Sequence, residues 1–140
     1  MIHKLRVIFA DTDQMGIVYY ANYYRFFEAS RAALLRAHGS NHKEMLSWGA
    51  ALPVVESHCR YRAPANYEDL LEIDVSIGEI RGASVRFVYQ IHCHGTLLVE
   101  GFTMHACVHP DTGRPRRIPP QLLTLLQSEP AESEIHAEEE

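Results

Sequence analysis

One segment limits the fold more than any other. Residues 21–38 carry a helical repeat, with Tyr23, Tyr24, Phe27, Ser30, Leu34 and Leu35 recurring at i, i+3, i+4 and i+7. Arg25, Glu28, Arg31 or Ala32, and Arg36 leave a narrow polar stripe, while Ala29, Ala33 and Ala37 form a small-residue flank. A helix that is apolar over most of its circumference must be buried. Gly39, Ser40 and Asn41 form its stop signal, and residues 41–48 read as a short second helix before Gly49.

The segments available to bury that helix read as strands. Residues 2–9 alternate, with Leu5, Val7 and Phe9 on one face and Lys4, Arg6 and Ile8 on the other. Residues 53–61, 70–80, 83–94 and 96–109 read as four consecutive antiparallel strands, with hairpin turns at 80–83 and 94–96. In the third of these, Val85, Phe87, Tyr89 and Ile91 alternate with Arg86, Val88, Gln90 and His92. Pro119 and Pro120 open a final helix that runs to about Gln127. This order predicts an α+β chain in which one antiparallel sheet wraps around a long helix. No Gly-rich loop joins a strand to a helix, so dinucleotide-binding and P-loop architectures are excluded.

A length of 140 residues fits one domain, and 46% hydrophobic residues suffice for a packed core. The formal charge of −5 is uneven: residues 129–140 hold six of the 18 acids and no Lys or Arg. Residues 1–128, the expected domain, therefore carry 12 acids against 13 bases. The acidic segment is expected to be a frayed tail. Without a basic excess the chain is not expected to bind nucleic acid. Three scattered cysteines make no disulfide framework, no apolar run approaches the roughly 20 residues of a membrane helix, and the N-terminus reads as a strand rather than a signal peptide. A cytoplasmic protein is the expectation.

The densest chemistry is Asp11-Thr-Asp-Gln-Met-Gly-Ile-Val-Tyr-Tyr-Ala-Asn-Tyr-Tyr, just before the long helix. Gly16 allows a backbone turn that a Cβ would strain. Residues 19–22 fall at the helix start, where free N–H groups and the positive end of the helix dipole face outward. A carboxylate beside such donors suits acyl transfer: the donors hold the carbonyl oxygen as it gains charge, and the carboxylate attacks or activates water. The same pattern also suits a plain cap or turn aspartate.

The stretch Phe9-Ala-Asp-Thr-Asp-Gln-Met-Gly-Ile-Val-Tyr-Tyr-Ala-Asn-Tyr-Tyr-Arg-Phe-Phe-Glu-Ala-Ser-Arg resembles the signature of hotdog-fold acyl-CoA thioesterases of the 4-hydroxybenzoyl-CoA thioesterase type. The run Tyr61-Arg-Ala-Pro-Ala-Asn-Tyr-Glu-Asp-Leu-Leu-Glu-Ile resembles a strand junction of that family, and the likeness spans residues 3 to about 125. It implies a sheet wrapped around the central helix, dimers or tetramers, and an active site at the dimer interface. It implies that Asp13 acts as nucleophile or general base and that the backbone N–H of Tyr20 polarises the thioester carbonyl. Pro53, Val54 and Val55 match the segment that lines the acyl pocket from across the interface. No metal or organic cofactor is implied; coenzyme A belongs to the substrate.

One departure matters. Several short-chain members have His where this chain has Tyr20, which instead resembles aromatic-thioester members. A carboxylate of ordinary aspartate pKa, about 3.9, is a weak base for water. Direct attack through a mixed anhydride is therefore favoured over general-base action, with both left open. Asp11, Tyr19 and Glu28 are the further substrate-side candidates. Glu28 either pairs with Arg25 or Arg31 on the helix or reads the distal end of the acyl group.

Coenzyme A carries three phosphates and calls for Lys or Arg near the pocket mouth. Arg60, Arg62, Arg81 with Ser84, and Arg116 within residues 114–117 are the candidates. His92 and His94 alternate on one strand face, and His105 and His109 could face each other across a hairpin. No cysteine accompanies them at zinc-ligand spacing, so partners on the sheet faces, not a metal, are expected. The expected activity is hydrolysis of an acyl-CoA to a free acid and coenzyme A. The alternatives are a thioester on an acyl carrier protein and a non-catalytic acyl-CoA binder.

Overall fold

The computed structural model describes residues 1–129 and 137–138. Its elements are β1 (Ile2–Arg6), a single 3-10 turn (Phe9–Asp11), α1 (Asn22–Ala37), α2 (His42–Ser47), β2 (Val54–Tyr61), β3 (Leu70–Arg81), β4 (Ser84–Cys93), β5 (Thr96–Ala106), α3 (Pro120–Gln127) and β6 (Ala137–Glu138). The sheet order is β2-β5-β4-β3-β1-β6. β1 to β5 pair antiparallel, and β6 joins β1 in parallel. Beyond Glu129 and these two strand residues, the expected frayed tail lies outside the described residues.

The α+β expectation holds, with the sheet packed on the long helix. The inner face of β4 presents Val85, Phe87, Tyr89 and Ile91, all fully buried, and β3 adds Leu71, Ile73 and Val75. Against them α1 sets Tyr23, Phe26, Phe27 and Leu34. The Phe27 ring stacks on Tyr89, with centroids 4.2 Å apart and planes 7° from parallel. Full burial of each such side chain contributes roughly 1.5–3 kcal/mol. Gly101, opposite Tyr89 on β5, makes room for this stack: a Cβ there would lie 3.1 Å from the Phe27 ring and 2.2 Å from the His58 carbonyl oxygen.

Four expectations need correction. The first strand stops at Arg6, because the Ile8 amide bonds to the Asp11 carboxylate and turns the chain. Phe9 thereby leaves the inner face and stands 76% exposed. On α1, Phe26 is buried and Tyr24 is turned outward, since the sheet covers a stripe rotated by part of a turn from the one expected. The four later strands are not all joined by hairpins. Only β3–β4 and β4–β5 are; β2 crosses over to pair with β5, because β1 already occupies the free side of β3. The last strand ends at Ala106, where backbone bonds of Cys107 and Val108 pass to Ala83 and Ala51.

β2 is left at the sheet edge and is exposed along nearly its whole length. It runs beside α1, with Tyr61 near the helix start and Pro53 near its second half. Among the described residues no helix is long and apolar enough to cross a membrane.

Candidate active site

The loop between β1 and α1 is built around two aspartates with different surroundings. Asp11 is buried, and both its carboxylate oxygens are engaged: one accepts from the Ile8 amide at 3.0 Å and the other pairs with Arg25. Its carbonyl accepts from the Tyr19 amide and from the Asn22 side-chain amide, each at 2.9 Å. Asp11 thus ties the strand end, the loop and the first turn of α1 together. Arg25→Ala leaves that buried carboxylate without its cation and should cost about 1–3 kcal/mol in urea unfolding. A loss under a few tenths would mean that the pair holds nothing.

Asp13 is half-buried and sits at the head of a tight turn. Its carboxylate accepts from the Met15 amide at 2.8 Å, and its carbonyl accepts from Gly16 N–H at 3.0 Å. Gly16 has φ of 80°, the conformation that a side chain would strain. The Asp13 amide closes the turn on the Ile17 carbonyl at 2.9 Å. The turn is held from outside by residues 65–67: Val18 N–H donates to the Ala65 carbonyl, and Ile17 bridges to Asn66. The two stretches that carry the family likeness are therefore in contact.

The helix entry decides which donors are available. The Tyr19 amide is taken by Asp11, and the amides of Asn22, Tyr23 and Tyr24 bond back to residues 19, 20 and 21. Among the described residues the amides of Tyr20 and Ala21 have no acceptor. Both belong to peptides whose carbonyls are engaged, the first through Asn22 N–H to Tyr19 O at 2.9 Å and the second through Tyr61 O–H to Tyr20 O at 3.2 Å. An acceptor bond to a peptide carbonyl polarises the N–H of the same peptide. The rings of Tyr19, Tyr20 and Tyr61 stand around this entry, each more than two-fifths exposed.

Beyond the entry, two hollows share Glu28 and Arg31 of α1, the smaller bounded also by β2 and the larger by α2 and residues 51–53. One, of about 370 Å³, is lined by Tyr24, Arg25, Glu28, Arg31, Val54, Ser57 and Thr103. The other, about 710 Å³ and mostly apolar, includes Glu28, Arg31, Leu35, Met45, Leu52, Pro53 and His105. Asp13 lines neither, so in a single chain the carboxylate and the larger hollow are separate features. Val55 lies at the exposed start of β2. Glu28 has no ion-pair partner among the described residues, because Arg25 turns to Asp11 and Arg31 to Tyr89.

A buried hydrogen-bond chain runs beneath this groove. Arg31 Nη1 donates to Tyr89 Oη at 3.1 Å, Tyr89 and Thr103 hydroxyls meet at 2.7 Å, Thr103 meets His105 Nε2 at 2.8 Å, and His105 Nδ1 meets the Leu52 carbonyl at 2.8 Å. The Leu52 oxygen can only accept, so Nδ1 bears the proton and Nε2 accepts from Thr103. His105 is 1% exposed, and burial, reinforced by the Arg31 charge against the opposing bond to Leu52, lowers its pKa from 6.5 to about 4. The unfolded chain therefore binds a proton between these values that the folded chain refuses. This contribution to stability is present above pH 6.5 and falls by about 3 kcal/mol as pH drops to about 4. Urea midpoints at about pH 7.5 and 4.5 measure it, and His105→Asn should flatten the slope.

The histidine pairings read from the sequence are not present. His105 faces inward, His109 lies exposed beyond the end of β5, and His94 sits in the β4–β5 turn with φ of 49°. Of the arginine candidates, Arg62 pairs with Glu100, and Arg81 Nε donates to Glu79 at 2.8 Å. Arg116 Nη1 donates to the Gly49 carbonyl at 2.9 Å. Arg60 lines a hollow on the outer sheet face with His58 and Arg86. Along β5, Arg60 faces Glu100 and Ser84 faces Ala106, six residues or about 20 Å apart. The candidates thus form two groups. In the second, Ile118 N–H donates to the Gly82 carbonyl and sets the Arg117 guanidinium over Gly82, so the hairpin turn and the late loop do meet.

A family model described as the thioesterase-like superfamily matches residues 7–126. The chain belongs to that superfamily. This thioesterase-like chain is 35% identical over 120 residues to the acyl-CoA thioester hydrolase YbgC of Escherichia coli O157:H7, covering 85% of the chain and 90% of the relative. It is 32% identical to the putative acyl-CoA thioesterase YneP of Bacillus subtilis, covering 80% and 82%. A crystal structure of a hypothetical protein from Aquifex aeolicus superposes with a TM-score of 0.85 at 29% identity, covering 91% of this chain and 99% of that one. The thioesterase-like sheet and helix are therefore a hotdog fold.

Proposed function

We propose that this chain is an acyl-CoA thioester hydrolase that releases a free acid and coenzyme A. The observation that carries the reading is the helix entry: an Asp13 turn held against residues 65–67, followed by the amides of Tyr20 and Ala21, which have no acceptor among the described residues. The thioester carbonyl oxygen accepts from Tyr20 N–H, which strengthens as charge develops on it. Asp13 then attacks the carbonyl carbon, the thiolate of coenzyme A leaves, and water hydrolyses the mixed anhydride. The alternative is that Asp13 takes a proton from attacking water. Single turnover in labelled water separates the two, because only the anhydride route carries label into the Asp13 carboxylate.

The working unit in this reading is a homodimer or a pair of dimers. The exposed edge strand, with Val54 49% and Val55 61% exposed, supports it, and Pro53 to Val55 close the acyl pocket of the neighbouring subunit. Arg60, Arg62, Arg81, Ser84 and Arg116 are the proposed contacts for the nucleotide end. Tyr20 and its aromatic neighbours favour a bulky acyl group. Thiol release from a panel of short, long and aromatic acyl-CoA esters tests the activity. Faster release from the carrier-protein counterpart would shift the substrate to carrier thioesters, and binding without release from any ester would remove the enzyme reading.

A further inference from the structure

The Asp13 turn and the helix entry are both held from outside by one connection. After Tyr61 the amides of Arg62 and Ala63 donate to the Leu98 carbonyl, at 2.8 and 3.1 Å, and close the end of β2 onto β5. Four residues beyond Tyr61, the Ala65 carbonyl accepts from Val18 N–H, and the Tyr67 amide donates to the Gly16 carbonyl at 3.4 Å. Tyr61 reaches the other half of the site, where its hydroxyl donates to the Tyr20 carbonyl at 3.2 Å. Residues 61–67 therefore touch both the carboxylate turn and the peptide that follows Tyr20.

Tyr61 lies opposite the fully buried Val99, so its side chain leaves β2 on the face toward α1. Its ring sits against Tyr23, with centroids 5.5 Å apart, and edge-on to Tyr20 at 6.2 Å. Tyr23 is buried and cannot shift without opening the core. The phenol is thus held by its strand on one side and by the core on the other. The Tyr20 carbonyl otherwise has only the long bond from Tyr23 N–H, at 3.4 Å. The Tyr61 bond fixes the plane of this peptide and strengthens the N–H at its far end. That N–H belongs to Ala21 and has no acceptor among the described residues. The amides of Tyr20 and Ala21 lie inside the single turn closed by Asn22 N–H on the Tyr19 carbonyl, and first-turn amides point together out of a helix start.

We propose that Ala21 N–H joins Tyr20 N–H as a second donor to the thioester oxygen, and that Tyr61 is the positioning residue that sets it. The inference rests on the thioesterase reading, which by itself needs only the Tyr20 donor. Tyr61 touches no reacting atom. Its effect falls on the transition state, where the oxygen carries charge, rather than on binding of the ester.

Tyr61→Phe keeps the ring against Tyr20 and Tyr23 and deletes only the hydroxyl. In thiol release from butyryl-, octanoyl- and benzoyl-CoA it should lower kcat about three- to tenfold, the worth of one hydrogen bond, with KM and the pH profile unmoved. Replacing Ala21 by lactic acid through codon suppression exchanges its N–H for an ester oxygen. That change should lower kcat on the order of 10²-fold, and adding Tyr61→Phe to it should cost little more. A ketone analogue with a methylene in place of the thioester sulfur gives a readout without turnover. Its carbonyl stretch should move to lower frequency on binding the native protein, and part of that shift should be missing in Tyr61→Phe. Unchanged kcat in Tyr61→Phe, a rise in KM alone, or losses that multiply in the double variant would overturn the proposal. If no ester is hydrolysed, the thioesterase reading fails on its own. The carbonyl band of the bound ketone then decides the inference: a difference between native protein and Tyr61→Phe upholds it, and identical bands overturn it. A ketone that the native protein does not bind overturns both.

Discussion

Asp13→Asn should lower thiol release from acyl-CoA on the order of 10⁴-fold if the carboxylate is the nucleophile, and by 10²–10⁴-fold if it is a general base. The substitution is informative because its structural cost is small. Asp13 holds the Met15 amide through a single oxygen at 2.8 Å, and an asparagine carbonyl can take over that bond. The turn's other bonds, from Asp13 N–H to Ile17 and from Gly16 N–H to the Asp13 carbonyl, are backbone and survive. The melting temperature should therefore stay close to that of the native protein, and ester binding should persist. Hydrolysis retained in this variant would remove Asp13 from the mechanism. The parallel change Asp11→Asn should instead show itself in stability, since it weakens the pair with Arg25.

The largest stability effect should come from the smallest residue. Gly101→Ala places a methyl group 2.2 Å from the His58 carbonyl oxygen, a backbone atom that cannot move without its strand. The same methyl group would press on the Phe27 ring at 3.1 Å. Either β2 separates from β5 or α1 lifts from the sheet. Overpacking of this kind costs about 3 kcal/mol, which lowers the melting temperature by roughly 10 °C for a domain of this size. A circular-dichroism melt within two degrees or so of the native curve would show that the sheet absorbs the change easily. The groove between α1 and β2 should widen with the displacement, so ester KM should rise alongside the loss of stability.

The two effects illustrate what could be read without coordinates. Element order and most boundaries follow from periodicity, which is local: the alternation along β4 and the stop signal after α1 need no partner to be visible. The Asp13 turn was legible through Gly16 and the residues that follow it. Partner choice was not. Nothing within residues 54–61 says that β2 pairs with β5 rather than β3; the decision depends on β1 having taken the other side of β3. The buried stripe of α1 departs from the expected one at Tyr24 and Phe26, because two neighbouring aromatic registers satisfy the same helical repeat and only the sheet chooses between them. His105 and Thr103 alternate on β5 like core positions, which was the available signal that this histidine is neutral and inward. Its link to Arg31 spans 74 residues of sequence and depends on a tyrosine from a third element.

The hydrogen-bond chain beneath the groove has a property that follows from its ends. A guanidinium cannot accept and a carbonyl cannot donate, so each hydroxyl between them has only one orientation available. Rows of hydroxyl groups commonly flip between two senses and keep some residual disorder; this one has no reversed copy. It also does not conduct a proton, because the guanidinium at one end does not release one and the carbonyl at the other has none to pass on. What passes from one wall of the groove to the other is therefore distance rather than charge. If the Leu52 wall moves outward, the whole row must stretch or break, and Arg31 retreats from the groove with it.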